Sequence, residues 1–214
     1  MLHHLRYVAI PGLNSGSLTK LLRVPHSLEW TELCIPALSA GALRNLPDLL
    51  TLDAWNCRDV SFLPALPRLQ SLELQIEDDP WAVTGEALVE AILSCRQLTS
   101  LDLTAPVTSA HLSALLPRLP LLQSLGLAFC SELDSLAFLS DVSMLREFIL
   151  DFQPALRTSE LRHILGLKNL TKLRLLSSLS QELDEFTQHL LTPPSTLLPK
   201  LTSFKYEPAA AAVA

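Results

Sequence analysis

The sequence predicts an α/β solenoid of about nine repeats, in which parallel strands alternate with mixed helical and short 3₁₀ returns. Three observations predict it. Segments of the form L-x-x-L-x-L recur nine times: L2-HHLRY, W30-TELCI, L49-LTLDA, L69-QSLEL, L98-TSLDL, L122-QSLGL, L145-REFIL, L170-TKLRL and L201-TSFKY. Their starts lie 28, 19, 20, 29, 24, 23, 25 and 31 residues apart, a period that marks one strand and one return per repeat. Finally, 49% of the 214 residues are hydrophobic but only 6% are aromatic, so the core must be aliphatic and leucine-dominated. Stacked turns that each bury a few leucines against their neighbours suit that composition better than one globular centre.

Each strand follows from alternation. Successive side chains point to opposite faces, so positions 1, 4 and 6 of the frame turn inward and positions 3, 5 and 7 outward. The returns follow from spacing. The 19- and 20-residue repeats leave too little chain for a full helix, so Phe62-Leu63 and their neighbours are expected to make a tight or 3₁₀ return. TGEALVEAILSC (84–95) has Thr84 as N-cap before apolar residues at helical spacing. TSAHLSALL (108–116), TSELRHILGL (158–167) and SQELDEFTQHLL (180–191) open the same way and read as helices. L-P-x-L precedes the strand at 46–52, 66–72, 119–125 and 198–204, where proline ends the return and biases its predecessor toward extended geometry.

These repeats resemble the leucine-rich repeat family, from about Leu2 to Tyr206. The resemblance implies a right-handed solenoid with its strands on a concave face and its returns on a convex one. At position 9 the family usually places Asn or Cys, whose side chain satisfies backbone groups as the chain bends away. Cys57 and Cys130 fall there and resemble the cysteine-containing, ribonuclease-inhibitor-like repeats of F-box leucine-rich repeat proteins. Glu77, Pro106 and Gln153 depart from that pattern. The four cysteines show no paired spacing and read as reduced, structural residues. Residues 1–207 form the repeat domain by this reading. The Ala-rich stretch 208–214 is a disordered tail or linker. No cap precedes Leu2, so the chain is expected to be a piece of a larger protein or to carry a degenerate cap.

Composition narrows function. A net charge of −6 without a basic stripe argues against nucleic acid as a partner. No run of 18 apolar residues occurs, so no membrane-spanning helix is expected. The start lacks a signal-peptide apolar stretch, which points to a cytoplasmic or nuclear, intracellular location. No Walker loop, G-x-S-x-G, H-E-x-x-H or G-x-G-x-x-G is present. His111, His163 and His189 read as solvated or partly packed, and Asp78-Asp79 and Asp184-Glu185 as surface charges. The chain is expected to be no enzyme, with no catalytic residues, no metal ligands and no cofactor.

What remains is the concave face. Position 5 runs Arg6, Cys34, Asp53, Glu73, Asp102, Gly126, Ile149, Arg174, Lys205, and position 3 runs from His4 and Glu32 to Glu147, Lys172 and Ser203. Asp53, Glu73 and Asp102 thus form an acidic ladder with Glu32 beside it. Lys172, Arg174 and Lys205 form a basic end, and Trp55 at position 7 supplies an aromatic anchor. These eight residues are the expected contacts to a protein partner. By resemblance, the module is the substrate-recognition half of an F-box-type ubiquitin ligase adaptor, with ligase subunits reached through a domain absent from this chain. The alternatives are a free-standing inhibitor or scaffold that binds an enzyme on its concave face, and an effector or enzyme fragment.

Overall fold

The computed structural model describes residues 7–9, 32–36, 48–76, 83–151, 153, 155–176 and 197–207. The expected helix at 180–191 and the tail at 208–214 lie outside them. Among the described residues nine strands form one parallel sheet in strict sequence order: β1 (Tyr7–Ala9), β2 (Glu32–Pro36), β3 (Thr51–Cys57), β4 (Ser71–Ile76), β5 (Ser100–Thr104), β6 (Ser124–Ala128), β7 (Glu147–Asp151), β8 (Lys172–Leu176) and β9 (Ser203–Glu207). Order without crossover is what a chain returning to the next rung each time must produce.

The inward frame positions make the core. Leu72 and Leu74, Leu101 and Leu103, Leu125 and Leu127, Phe148 and Leu150, and Leu173 and Leu175 are all buried, as are the position-1 leucines from Leu49 to Leu170. Register between rungs is set just before each strand. The carbonyl of position 2 accepts two amides from the next repeat: Leu50 from Gln70 and Ser71, Gln70 from Thr99 and Ser100, Thr99 from Gln123 and Ser124, at 2.8 and 3.0 Å each time. Gln123, Arg146 and Thr171 do the same further along. A second regularity recurs just before six of the described strands. An amide-to-carbonyl turn joins Leu69 to Leu66, Leu98 to Cys95, Leu122 to Leu119, Leu145 to Val142, Leu170 to Leu167 and Leu201 to Leu198. Pro67, Pro120 and Pro199 occupy its second residue, where a fixed φ suits the turn; Arg96, Ser143 and Lys168 show that proline assists it without being required.

Return segments vary as chain length demands. Leu63–Ala65 is the short 3₁₀ return of the tight repeat, with Phe62 buried beside it. The first helix, α1 (Gly85–Ile92), starts where Thr84 accepts the Ala87 amide at 3.3 Å and buries Leu88, Ala91 and Ile92. The second, α2 (Ser109–Leu115), opens with a reciprocal cap: Thr108 Oγ1 accepts from the His111 amide and His111 Nδ1 accepts from the Thr108 amide, both at 3.2 Å. The His111 ring lies against Gly85, where any Cβ would collide with it. His111 is therefore a helix cap packed on the preceding repeat.

Three expectations change. Thr158–Gly166 forms a 3₁₀ helix rather than an α-helix, and Thr158 is its first residue rather than its cap. Leu161 and Ile164 within it and Leu167 at its C-cap are buried and recur every three residues, the 3₁₀ period. The frame of the first repeat also moves. Tyr7, Val8 and Ala9 pair with Glu32, Leu33 and Cys34, so by backbone register Tyr7 and Ala9, not His4 and Arg6, share the columns of positions 3 and 5. Val8 then takes position 4, where a β-branched residue suits a strand.

Gln153 is the third. Its Nε2 donates to the carbonyls of Leu127 at 2.9 Å and Asp151 at 2.7 Å. Cys130 Sγ contacts the equivalent pair, Leu103 O at 3.8 Å and Ala128 O at 3.5 Å. Gln153 thus performs the position-9 task that its residue type obscures. Cys57 contacts its own strand at Trp55 O, 3.9 Å away. Both cysteines follow a residue with positive φ, Asn56 and Phe129, which turns the chain out of the strand.

Two outcomes are expected. Leu125→Ala should cost about 2–5 kcal/mol in urea unfolding, since Leu125 is fully enclosed between rungs. Cys57, Cys95 and Cys130 are buried, and burial pushes the Cys130 thiol up to about 11. Iodoacetamide at neutral pH should leave these three unlabelled in the native chain and modify them after unfolding, as read by peptide mass spectrometry. Native labelling would show that the strand exits are open.

Candidate functional site

The strand face opposite the returns carries the outward residues in unbroken columns. Cys34, Asp53, Glu73, Asp102, Gly126, Ile149, Arg174 and Lys205 are partners in register across β2 to β9. Glu32 pairs with Thr51, Glu147 with Lys172 and Lys172 with Ser203 on the position-3 column. The core fixes this arrangement, because a slip of one residue would expose every leucine.

The ladder therefore brings three carboxylates onto neighbouring rungs about 4.8 Å apart. Glu73 stands between Asp53 and Asp102. Desolvation raises its pKa first, then those two charges, while a hydrogen bond from Trp55 lowers it. Desolvation also raises Asp102, with Glu147 adding to the effect. Trp55 is 40% exposed, so its indole both meets solvent and braces the ladder. Toward the other end, Lys172 Nζ lies 3.5 Å from Glu147, while Arg174 and Lys205 occupy adjacent rungs and are exposed. Glu32 is placed by backbone register alone. Two opposite fields thus share one surface, with Gly126 and Ile149 between them.

Between them the surface sinks. β6 presents only Ser124, Gly126 and Ala128 outward, flanked by Asp102 and Thr104 on β5 and by Ile149 and Asp151 on β7. The result is a depression of about 270 Å³ reaching from Glu73 and Gln75 to Leu176. A Cβ at Gly126 would overlap the Asp102 carboxylate, which leans across the glycine. Sequence reading located the charges but missed the depression. Its signal was present in S-L-G-L-A, the strand whose outward residues are all small.

On the return side, Ser135, Glu160 and His163 gather. Ser135 Oγ donates to Glu160 Oε2 at 2.5 Å and His163 Nε2 lies 3.4 Å from the same oxygen. The Ser135 hydroxyl and the Leu136 amide hold the Glu160 pKa down, the hydroxyl more strongly. The carboxylate takes the hydroxyl proton's hydrogen bond, whereas an activated serine would hand it to the histidine. This trio ties one repeat to the next. Among the described residues no group of three His, Cys, Asp or Glu could hold a metal ion, and no helix is long and apolar enough to cross a membrane.

No protein-family model matches the chain, and no curated protein matches it by sequence. Solved structures do. Internalin C2 from Listeria monocytogenes is similar with a TM-score of 0.50 and 18% identity, over 94% of this chain and 78% of that one. Internalin InlF of the same bacterium matches at 0.32 and 15%, over 90% and 76%. The functional domain of its InlJ matches at 0.42 and 16%, over 83% and 39%. Internalins are leucine-rich repeat proteins. Together with the strand order and the buried frame, the internalin C2 match shows the fold, an α/β solenoid similar to that of leucine-rich repeat proteins.

The strained ladder has a pH signature. Raised carboxylate pKa values mean that the protonated forms fold more favourably. Their stabilising contribution is fully present below the ordinary values of 3.8 for Asp102 and 4.5 for Glu73, and is lost as pH rises through the folded values. Glu73→Gln and Asp102→Asn should each raise the urea midpoint at neutral pH. The gain should vanish at about pH 3. Identical midpoints at neutral pH would mean that the ladder carries no strain.

Proposed function

We propose that this chain is a non-catalytic protein-recognition module whose open strand face is the docking surface. The observation that carries the reading is the division of that face into an acidic ladder, Asp53, Glu73 and Asp102, and a basic end at Arg174 and Lys205. Like charges on adjacent rungs cost stability, and an oppositely charged partner returns it. Trp55 offers the kind of half-exposed aromatic that anchors interfaces. The finer reading is the substrate-recognition repeats of an F-box-type ubiquitin ligase adaptor. It rests on Cys57 and Cys130 at the strand exits, in the manner of cysteine-containing repeats, and ligase subunits would join through a domain outside this chain. Trp55, Lys172, Arg174, Lys205 and Glu32 complete the proposed contact set. A free-standing inhibitor would use the same face.

The test is capture from native lysate by the wild-type chain and by the triple reversal Asp53→Lys, Glu73→Lys, Asp102→Lys, with circular dichroism confirming both folds. At least one partner should be retained by the wild type and lost by the reversal. A partner that is ubiquitinated or a ligase subunit supports the adaptor reading. An enzyme silenced on binding supports the inhibitor. Identical captured sets would remove the strand face from consideration.

A further inference from the structure

The depression over β6 has a shape and chemistry that the general surface lacks. We infer that it receives one basic side chain, arginine above all, from an extended segment of the protein partner. The inference rests on the recognition-module reading and names what that face recognises.

Space comes first. With Gly126 and Ala128 as its floor, the trough is about 270 Å³ in volume, room for a single long side chain. Its lining is divided in the way a basic side chain is divided. Ile149 and Leu176 supply an apolar wall, and Glu73 and Asp102 an acidic one, with Asp151 at the strand end. Arginine and lysine lay their methylenes along apolar surface and keep the charged head at a polar rim. Arginine fits better, because its planar fork donates to carboxylates from several N–H groups at once. An acidic or purely apolar side chain would leave the Asp102 carboxylate facing a like charge or shut away from water.

Desolvation and like-charge crowding already make Asp102 and Glu73 reluctant anions, and a bound cation reverses both effects. Farther along the same column stands Arg174, three rungs from Asp102 and so about 14 Å away. That is the reach of roughly four extended residues. A segment crossing the strands with a basic residue above Asp102 would therefore place its fourth neighbour over Arg174, and an acidic residue is favoured there.

The test is selection of phage-displayed random twelve-residue peptides on the wild-type chain. Variants Ala128→Phe, which fills the trough, and Asp102→Asn, which removes the charge at constant shape, serve as comparison proteins after their urea midpoints confirm folding. Selected peptides should carry Arg or Lys, with Asp or Glu four residues away. Their binding should weaken at least about tenfold on either variant, and equally when the basic residue is replaced by citrulline. Peptides without a basic residue, peptides that bind all three proteins alike, or no selection at all would overturn the inference. A lysate partner lost by the triple reversal but kept by Ala128→Phe would reject the pocket while leaving the recognition module standing.

Discussion

One backbone exchange governs this molecule. The carbonyl at position 2 of each repeat accepts two amides from the repeat that follows, and this contact recurs from Leu50 to Thr171 with little change in length. It decides which residue of one strand lies beside which residue of the next. Once that is set, the leucines at positions 1, 4 and 6 must stack on their counterparts, and no repeat completes its core without its neighbours. Return segments are then free to vary, from three residues of 3₁₀ helix at Leu63 to eight of α-helix at Gly85 and nine of 3₁₀ helix at Thr158, because each must only begin and end at fixed points.

The same exchange imposes the character of the open face. Nothing about Asp53, Glu73 and Asp102 favours their proximity; the buried residues that alternate with them along each strand force it. The hydrophobic gain of burying a leucine pair, about 1.5–3 kcal/mol per side chain, exceeds the fraction of a kcal/mol that like charges cost on a solvated sheet. A solenoid can therefore hold an unfavourable charge pattern in place indefinitely, and that pattern is what a partner of opposite sign relieves. Gly126 acts within this frame as an omission. A missing side chain in a fixed column becomes a trough, whereas in a loop the chain would close over it.

The columns from Glu32 onward were legible in the sequence because strand alternation needs only a period of two and a hydrophobic frame. The first repeat was not. Leu2 and Leu5 both open acceptable frames, and only pairing with β2 separates them. The 3₁₀ return at Thr158 was missed because an opening Thr-Ser-Glu is common to both helix types, although Leu161, Ile164 and Leu167 carried the three-residue period. Gln153 was set aside for its residue type. Its amide reaches the carbonyls equivalent to those that Cys130 contacts, one in its own strand and one in the strand before.

The sequence by itself determined the architecture, the inward and outward faces, and the charges that share a column, since all of these follow from local periodicity and from the need to bury leucine. Only the tertiary structure decided how neighbouring rungs use the space between them. Asp102 bends over Gly126, Trp55 bonds Glu73, and His111 seats against Gly85, each a contact between residues more than a dozen positions apart. Such contacts depend on side-chain directions across strands and on where a Cβ is missing, and no repeat frame encodes either.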